Sequence, residues 1–185
     1  MRGMPVYNSG FGIGAGAALD AGFANDAAGG GTTLGASANA GLGFIGLTAG
    51  ISVGKVNDNT VWSPGVAAAI RLFGGPLVPF RVTLQAGAAQ WSQGVVTSTH
   101  VPVSLGLAAT IPIPGVAIRP WIAPRFDYAT TSFENSEASA TELGISGGIE
   151  VGMLNGLIFR AAYDRLFTDG DPGILSLGIG MSLGR

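Results

Sequence analysis

The chain has 185 residues, a formal net charge of −2, no cysteine and a single histidine, His100. Hydrophobic residues make up 47% and charged residues 11%, and mean hydropathy is +0.45, which leaves too few charges to cover the surface of a water-soluble domain. No run of about 18 apolar residues exists, which excludes a transmembrane helix; the lone lysine, Lys55, leaves no basic patch for nucleic acid, and the lack of cysteine removes disulfides, thiolate chemistry and cysteine metal sites.

What remains is a membrane-like bulk composition without helices. The 32 glycines penalise helices further and follow no Gly-X-Y period. A closed β-barrel is the other structure that satisfies every backbone group in lipid. The length fits one domain, residues 1–185, with no linker between two cores. The opening MRGMPVYNSG has no apolar leader segment, as expected of a form from which a secretion signal has been removed.

Alternation of period two recurs along the chain. A first strand spans Gly10 to Phe23, with Phe11, Ile13, Ala15 and Ala17 opposing Gly12, Gly14, Gly16 and Ala18. After a Gly/Asn/Asp-rich loop, a second strand sets Leu34, Ala36, Ala38 and Ala40 against Gly35, Ser37, Asn39 and Gly41. A tight turn at Gly41 to Gly43 leads to a third, with Ile45, Leu47, Ala49, Ile51 and Val53 on one side. A fourth runs from Val61 to Phe73, and a fifth begins at Phe80 after the turn GGPLVP. A polar loop from Ser92 to Thr99 precedes the sixth, which carries His100, Pro102 and Ser104 opposite Val101, Val103 and Leu105.

The turn PIPGVA opens the seventh strand, where Pro120 and Pro124 predict a bulge or weakened pairing. The loop TTSFENSEAS follows. The clearest hairpin comes next: Leu143, Ile145, Ile149, Val151 and Met153 alternate with glycines, Ser146, Glu142 and Glu150, and the Asn155-Gly156 turn leads into Phe159, Ala161 and Tyr163 against Arg160, Ala162 and Asp164. TDGDPG carries the chain into the last strand, with Leu175, Leu177, Ile179, Met181 and Leu183 on one face. The reading is an all-β, antiparallel up-and-down transmembrane barrel of about ten strands, with eight as the alternative. Its connections alternate between longer polar loops and tight uncharged turns.

One face of nearly every strand is apolar; the other carries Gly, Ser, Thr and almost all the strand charges. A soluble barrel of lipocalin type would show a second face dense in Lys and Glu. The pattern instead predicts the apolar face outward in lipid. Trp62, Tyr128, Tyr163 and Phe167 fall towards the longer loops and Phe44, Phe73, Phe80 and Phe159 towards the short turns, as two aromatic girdles require.

With these Gly-rich alternating strands, NG and GGP turns and even strand count, the chain resembles the small outer-membrane β-barrel proteins of Gram-negative-type bacteria. The resemblance is architectural and carries no signature motif. It implies residence in the bacterial outer membrane, both termini on the periplasmic side, and lipid bilayer and lipopolysaccharide as surroundings. Such proteins usually end in an aromatic residue, whereas this chain ends Ser182-Leu183-Gly184-Arg185.

The candidate site is a lumen charge network of Arg71, Arg81, Arg119, Arg125, Asp127, Glu142, Glu150, Arg160 and Asp164. It has two readings. Arg rings select anions in pores, so the network is a gate for small solutes or ions; alternatively it is a plug of salt bridges filling a small barrel. A hydrolase would have to be built on His100, and Ser104, about 13 Å along the same strand face, is out of reach, so no enzyme is expected. No metal site and no cofactor are expected. The loop acids Asp26, Asp58, Glu134, Glu137, Asp169 and Asp171 form a solvated rim or bind divalent cations that bridge lipopolysaccharide. A binding or adhesion barrel that works through its loops is a further alternative, disfavoured by their shortness, and a soluble lipocalin-like barrel that binds a ligand in an apolar interior is the third.

Overall fold

Alternation of small and apolar residues makes these strands, because a strand exposes successive side chains to opposite environments. The computed structural model describes residues 14–56, 59–74, 78–134 and 136–183. Its strands are β1 (Gly14–Ala24), β2 (Thr32–Leu42), β3 (Ile45–Val56), β4 (Asn59–Phe73), β5 (Phe80–Gln93), β6 (Val96–Ala109), β7 (Ile111–Ile113), β8 (Val116–Phe133), β9 (Ser136–Met153), β10 (Leu157–Leu166) and β11 (Gly173–Leu183). Consecutive strands pair antiparallel, β1 pairs with β11, and β6 pairs with β8, which closes a ring from which only the three-residue β7 is left out. The barrel therefore has ten strands and one short extra strand that pairs with the start of β8.

The ring closes with a stagger. The ladder that starts at Ala117 passes through Gly152, Ile158, Gly180, Ala18, Ser37, Gly50, Gly65, Ala89 and His100, and it returns to β8 at Ala129. Strands in such a ring must tilt against the axis.

The apolar face points out. Leu19, Leu34, Leu47, Val66, Leu84, Leu105, Ile122, Leu143, Ile149 and Leu177 are all exposed, while Ser63, Thr83, Ser98, Asp127, Ser146 and Glu150 are buried. This is the reverse of a soluble ligand-binding barrel. The aromatic residues assigned to the two girdles all lie on the outside, Trp62, Tyr128, Tyr163 and Phe167 in one set and Phe44, Phe73, Phe80 and Phe159 in the other.

Several boundaries depart from expectation. The polar segments 92–99 and 130–139 are largely strand, so β5 and β6 meet in a turn at Gly94-Val95, and β8 and β9 run for 18 residues each. The connection expected at 92–99 is thus a two-residue turn. Ser and Thr hydroxyls bond across the extended ribbons, Ser92 to Thr97 at 3.1 Å and Gln90 to Thr99 at 3.4 Å, so a polar segment stays paired beyond the roughly 9–11 residues a bilayer requires.

The prolines interrupt the ladder without shifting it. Pairing between β6 and β8 skips the positions opposite Pro124, and pairing between β5 and β6 skips those around Pro102. The register shift falls elsewhere, between Arg71 and Phe73 on β4. At the Asn155-Gly156 turn, Gly156 has φ +87°, and a Cβ there would lie 2.4 Å from the Ser182 carbonyl oxygen. Residues 10–13 of the first strand, Asp58, part of the GGPLVP turn and the last two residues lie outside the described residues.

Candidate functional site: an ion-paired lumen

Barrel closure brings β8, β9, β10, β11 and β1 side by side, and their inward positions carry most of the lumen charge. Arg119, Glu150, Arg160, Gly178 and Asp20 occupy one cross-strand row. Arg119 Nη1 donates to Glu150 Oε1 at 2.5 Å. Arg160 passes its other neighbour and pairs through Nε and Nη2 with both carboxylate oxygens of Asp20, two strands away. The intervening Gly178 makes that reach feasible, because a Cβ there would sit 2.0 Å from Asp20 Oδ1 and 2.9 Å from Arg160 Nε.

A second bridge repeats the device nearer the loop end. Arg125 on β8 reaches Asp164 on β10, donating from Nη1 at 2.5 Å and Nη2 at 2.7 Å, a fork-on-fork pair. On the strand it crosses, Gly144 leaves room for the guanidinium: a Cβ there would lie 3.2 Å from Arg125 Nε. Ser146 Oγ also donates to Asp164 Oδ2 at 2.7 Å. Arg125 Nη2 lies 3.4 Å from Asp127 Oδ2, so one guanidinium serves two carboxylates unequally. Below, Trp121, Ala123 and Ala162 pack as a small buried cluster.

All nine candidate residues face inward, but they do not form one group. Arg119, Glu150, Arg160, Arg125, Asp127 and Asp164 are joined in ion pairs. Arg71 and Arg81 lie at the turn ends of β4 and β5, away from that wall. Arg71 and Glu142 enter no ion pair among the described residues. Asp20, the partner of Arg160, was not among the candidates. Its position on the even, glycine-bearing face of β1 is the signal that identifies it.

His100 has a serine neighbour after all, although not Ser104. Ser98 Oγ lies 3.3 Å from His100 Nε2, and His100 Nδ1 lies 3.6 Å from Asp127 Oδ1. Ser98 is 2% exposed, also bonds Thr131, and does not line the lumen cavity. Ser98, His100 and Asp127 thus form a polar cluster within the barrel. No group of three or more His, Cys, Asp or Glu side chains suited to a metal occurs among the described residues.

The opposite wall, β2 to β4, presents Gly35, Ser37, Gly50, Ser52, Ala67 and Ala69 inward. Between the two walls lies a cavity of about 120 Å³, with Ala28 and Pro172 at its loop side and Trp121 and Glu150 deeper in. Asn25 knits the loops above it: its side chain accepts from the Ala28 and Gly173 amides and donates to the Asp171 carbonyl. The rim acids Asp26, Glu134, Glu137, Asp169 and Asp171 are exposed. Asp171 is not a free acid, since it pairs with Arg165 at 2.6 Å.

No family model matches this sequence, and no curated protein matches it significantly. Solved structures do resemble it. The β domain of the Bordetella autotransporter BrkA aligns with a TM-score of 0.57 at 14% identity, over 93% of this chain and 100% of that one. The translocator domain of the autotransporter NalP from Neisseria meningitidis gives a TM-score of 0.49 at 12% identity, over 96% and 90% of the two chains. The outer membrane protease OmpT from Escherichia coli gives 0.43 at 7% identity, over 92% of each. The ten-strand closed ring, its outward apolar face and the BrkA likeness agree: the chain has the fold of the bacterial outer-membrane β-barrels.

Proposed function

We propose that the protein is an integral barrel of the bacterial outer membrane, a structural element of the envelope whose lumen is closed at rest by its own ion pairs. The observation that carries this reading is the pairing itself. Arg119, Arg125 and Arg160, which an anion-selecting constriction would hold free for solute, are each engaged by a carboxylate. A barrel this small leaves room for little beyond its own side chains, and paired charges stay hydrated or bonded there while acyl chains surround the outer face. The surroundings follow from the same reading: a lipid bilayer, and lipopolysaccharide whose phosphates the exposed rim acids hold through divalent cations.

A narrow pore for small solutes or ions is the second reading, favoured by the loop-side cavity and the small-residue wall facing it. Recording in planar bilayers separates the two. The plug predicts a silent wild-type protein, with current steps appearing when Arg125→Ala removes the central bridge. Steady anion-selective steps from the wild type, with selectivity lost in Arg125→Ala, would replace the plug with a pore.

A further inference from the structure

We infer that the loop-side cavity of the lumen is a binding site for a small primary ammonium ligand, with Asp127 as its counter-charge. Asp127 is 7% exposed and lines the cavity, yet its Oδ1 has no hydrogen-bond partner. His100 Nδ1 stands 3.6 Å away, beyond hydrogen-bond reach. Arg125 does not bond it: its two Nη groups are engaged with Asp164 at 2.5 and 2.7 Å, Nη2 approaches only the other oxygen of Asp127, and Nε, itself without a hydrogen-bond partner, lies over Gly144. A buried carboxylate oxygen without a donor is costly, and the N–H of a ligand in the cavity would satisfy it.

The surrounding charge favours a cation. Of the acids that line the cavity, Asp20, Glu150 and Asp164 are matched by Arg160, Arg119 and Arg125, which leaves Asp127 in excess, and Glu142 faces Asp127 across the β8–β9 ladder with no ion pair among the described residues. The described residues bring no third His, Cys, Asp or Glu ligand to Asp127 and His100, so a metal ion would lack the donors it requires. One N–H donor is enough for an ammonium group. The remaining lining near the mouth, Leu166, Ile174 and Pro172, is apolar and suits a short alkyl body in a volume of about 120 Å³. The site requires only that these side chains face inward, and it stands whether or not the lumen conducts.

The test is calorimetric titration of the folded, detergent-solubilised full chain with n-propylammonium chloride, against sodium chloride and sodium propionate at equal ionic strength. The wild type should bind n-propylammonium saturably at one site and give no saturable heat with either sodium salt. Asp127→Asn should weaken binding by about tenfold or more, the loss of one charge-assisted hydrogen bond. Gly35→Leu, on the opposite wall, should weaken it as much by filling the space; the first carbon there meets only ordinary contacts, 3.7 Å to Ser52 Cβ and 3.8 Å to the Ile51 carbonyl oxygen. This second variant leaves Asp127 intact and decides the matter if Asp127→Asn fails to fold. Wild-type affinity retained in Gly35→Leu or in a folded Asp127→Asn, saturable binding of sodium, or no saturable n-propylammonium binding by the wild type would overturn the assignment.

Discussion

The two walls of the lumen solve the same problem in opposite ways. Along β8, β9, β10 and β1 the interior is filled by long charged side chains that bond to one another across strands. Across the cavity, β2, β3 and β4 present mainly Gly, Ser and Ala, which fill little and bond little. The difference teaches that the charged wall supplies the specific contacts that fix one strand against the next, whereas the small wall supplies the space. Both long bridges obey one rule: each passes over a glycine, Gly178 or Gly144, on the strand it crosses.

Equilibrium unfolding in urea, after refolding into lipid vesicles, breaks or sharpens that contrast. Asp164→Ala should cost most, about 3–5 kcal/mol, because it leaves the Arg125 guanidinium buried without its main partner. Replacing both residues, Arg125→Met with Asp164→Leu, should cost less than that single change, since no charge is then stranded. Next is Leu177→Arg, on the outer face of β11, at about 2–4 kcal/mol for a charge set among acyl chains. Gly178→Val, one residue along and facing inward, should cost about 1–3 kcal/mol through crowding of the Asp20–Arg160 bridge. Ser37→Ala on the small wall should stay within about 0.5 kcal/mol. A Ser37→Ala loss as large as that of Asp164→Ala would erase the distinction between the walls.

Face and topology were legible in the residues because lipid imposes a strict period of two. Leu143, Ile149 and Leu177 point out and Glu150, Arg160 and Asp164 point in, as the alternation requires. Asp20 obeys the same rule, but the glycines and alanines around it on β1 make its strand the least contrasted of the charged wall. Hairpin length was not legible. Outside the bilayer a strand has no apolar face to reveal it, so the Ser- and Thr-rich ends of β6, β8 and β9 look like loops. The choice of partners was hidden too. Arg160 pairs with Asp20 and not with its direct neighbour Glu150 on β9, and that depends on ring closure and on the empty place at Gly178, which no local pattern encodes.

The central claim is that the oily side of the ring meets acyl chains and the charged side is enclosed. Two tryptophans stand on opposite sides of the wall: Trp62 is 57% exposed on the outer surface and Trp121 is 8% exposed inside. Fluorescence of single-tryptophan variants in vesicles of brominated lipid tests the claim directly. The account predicts strong quenching of Trp62 and little of Trp121; the opposite order would contradict it.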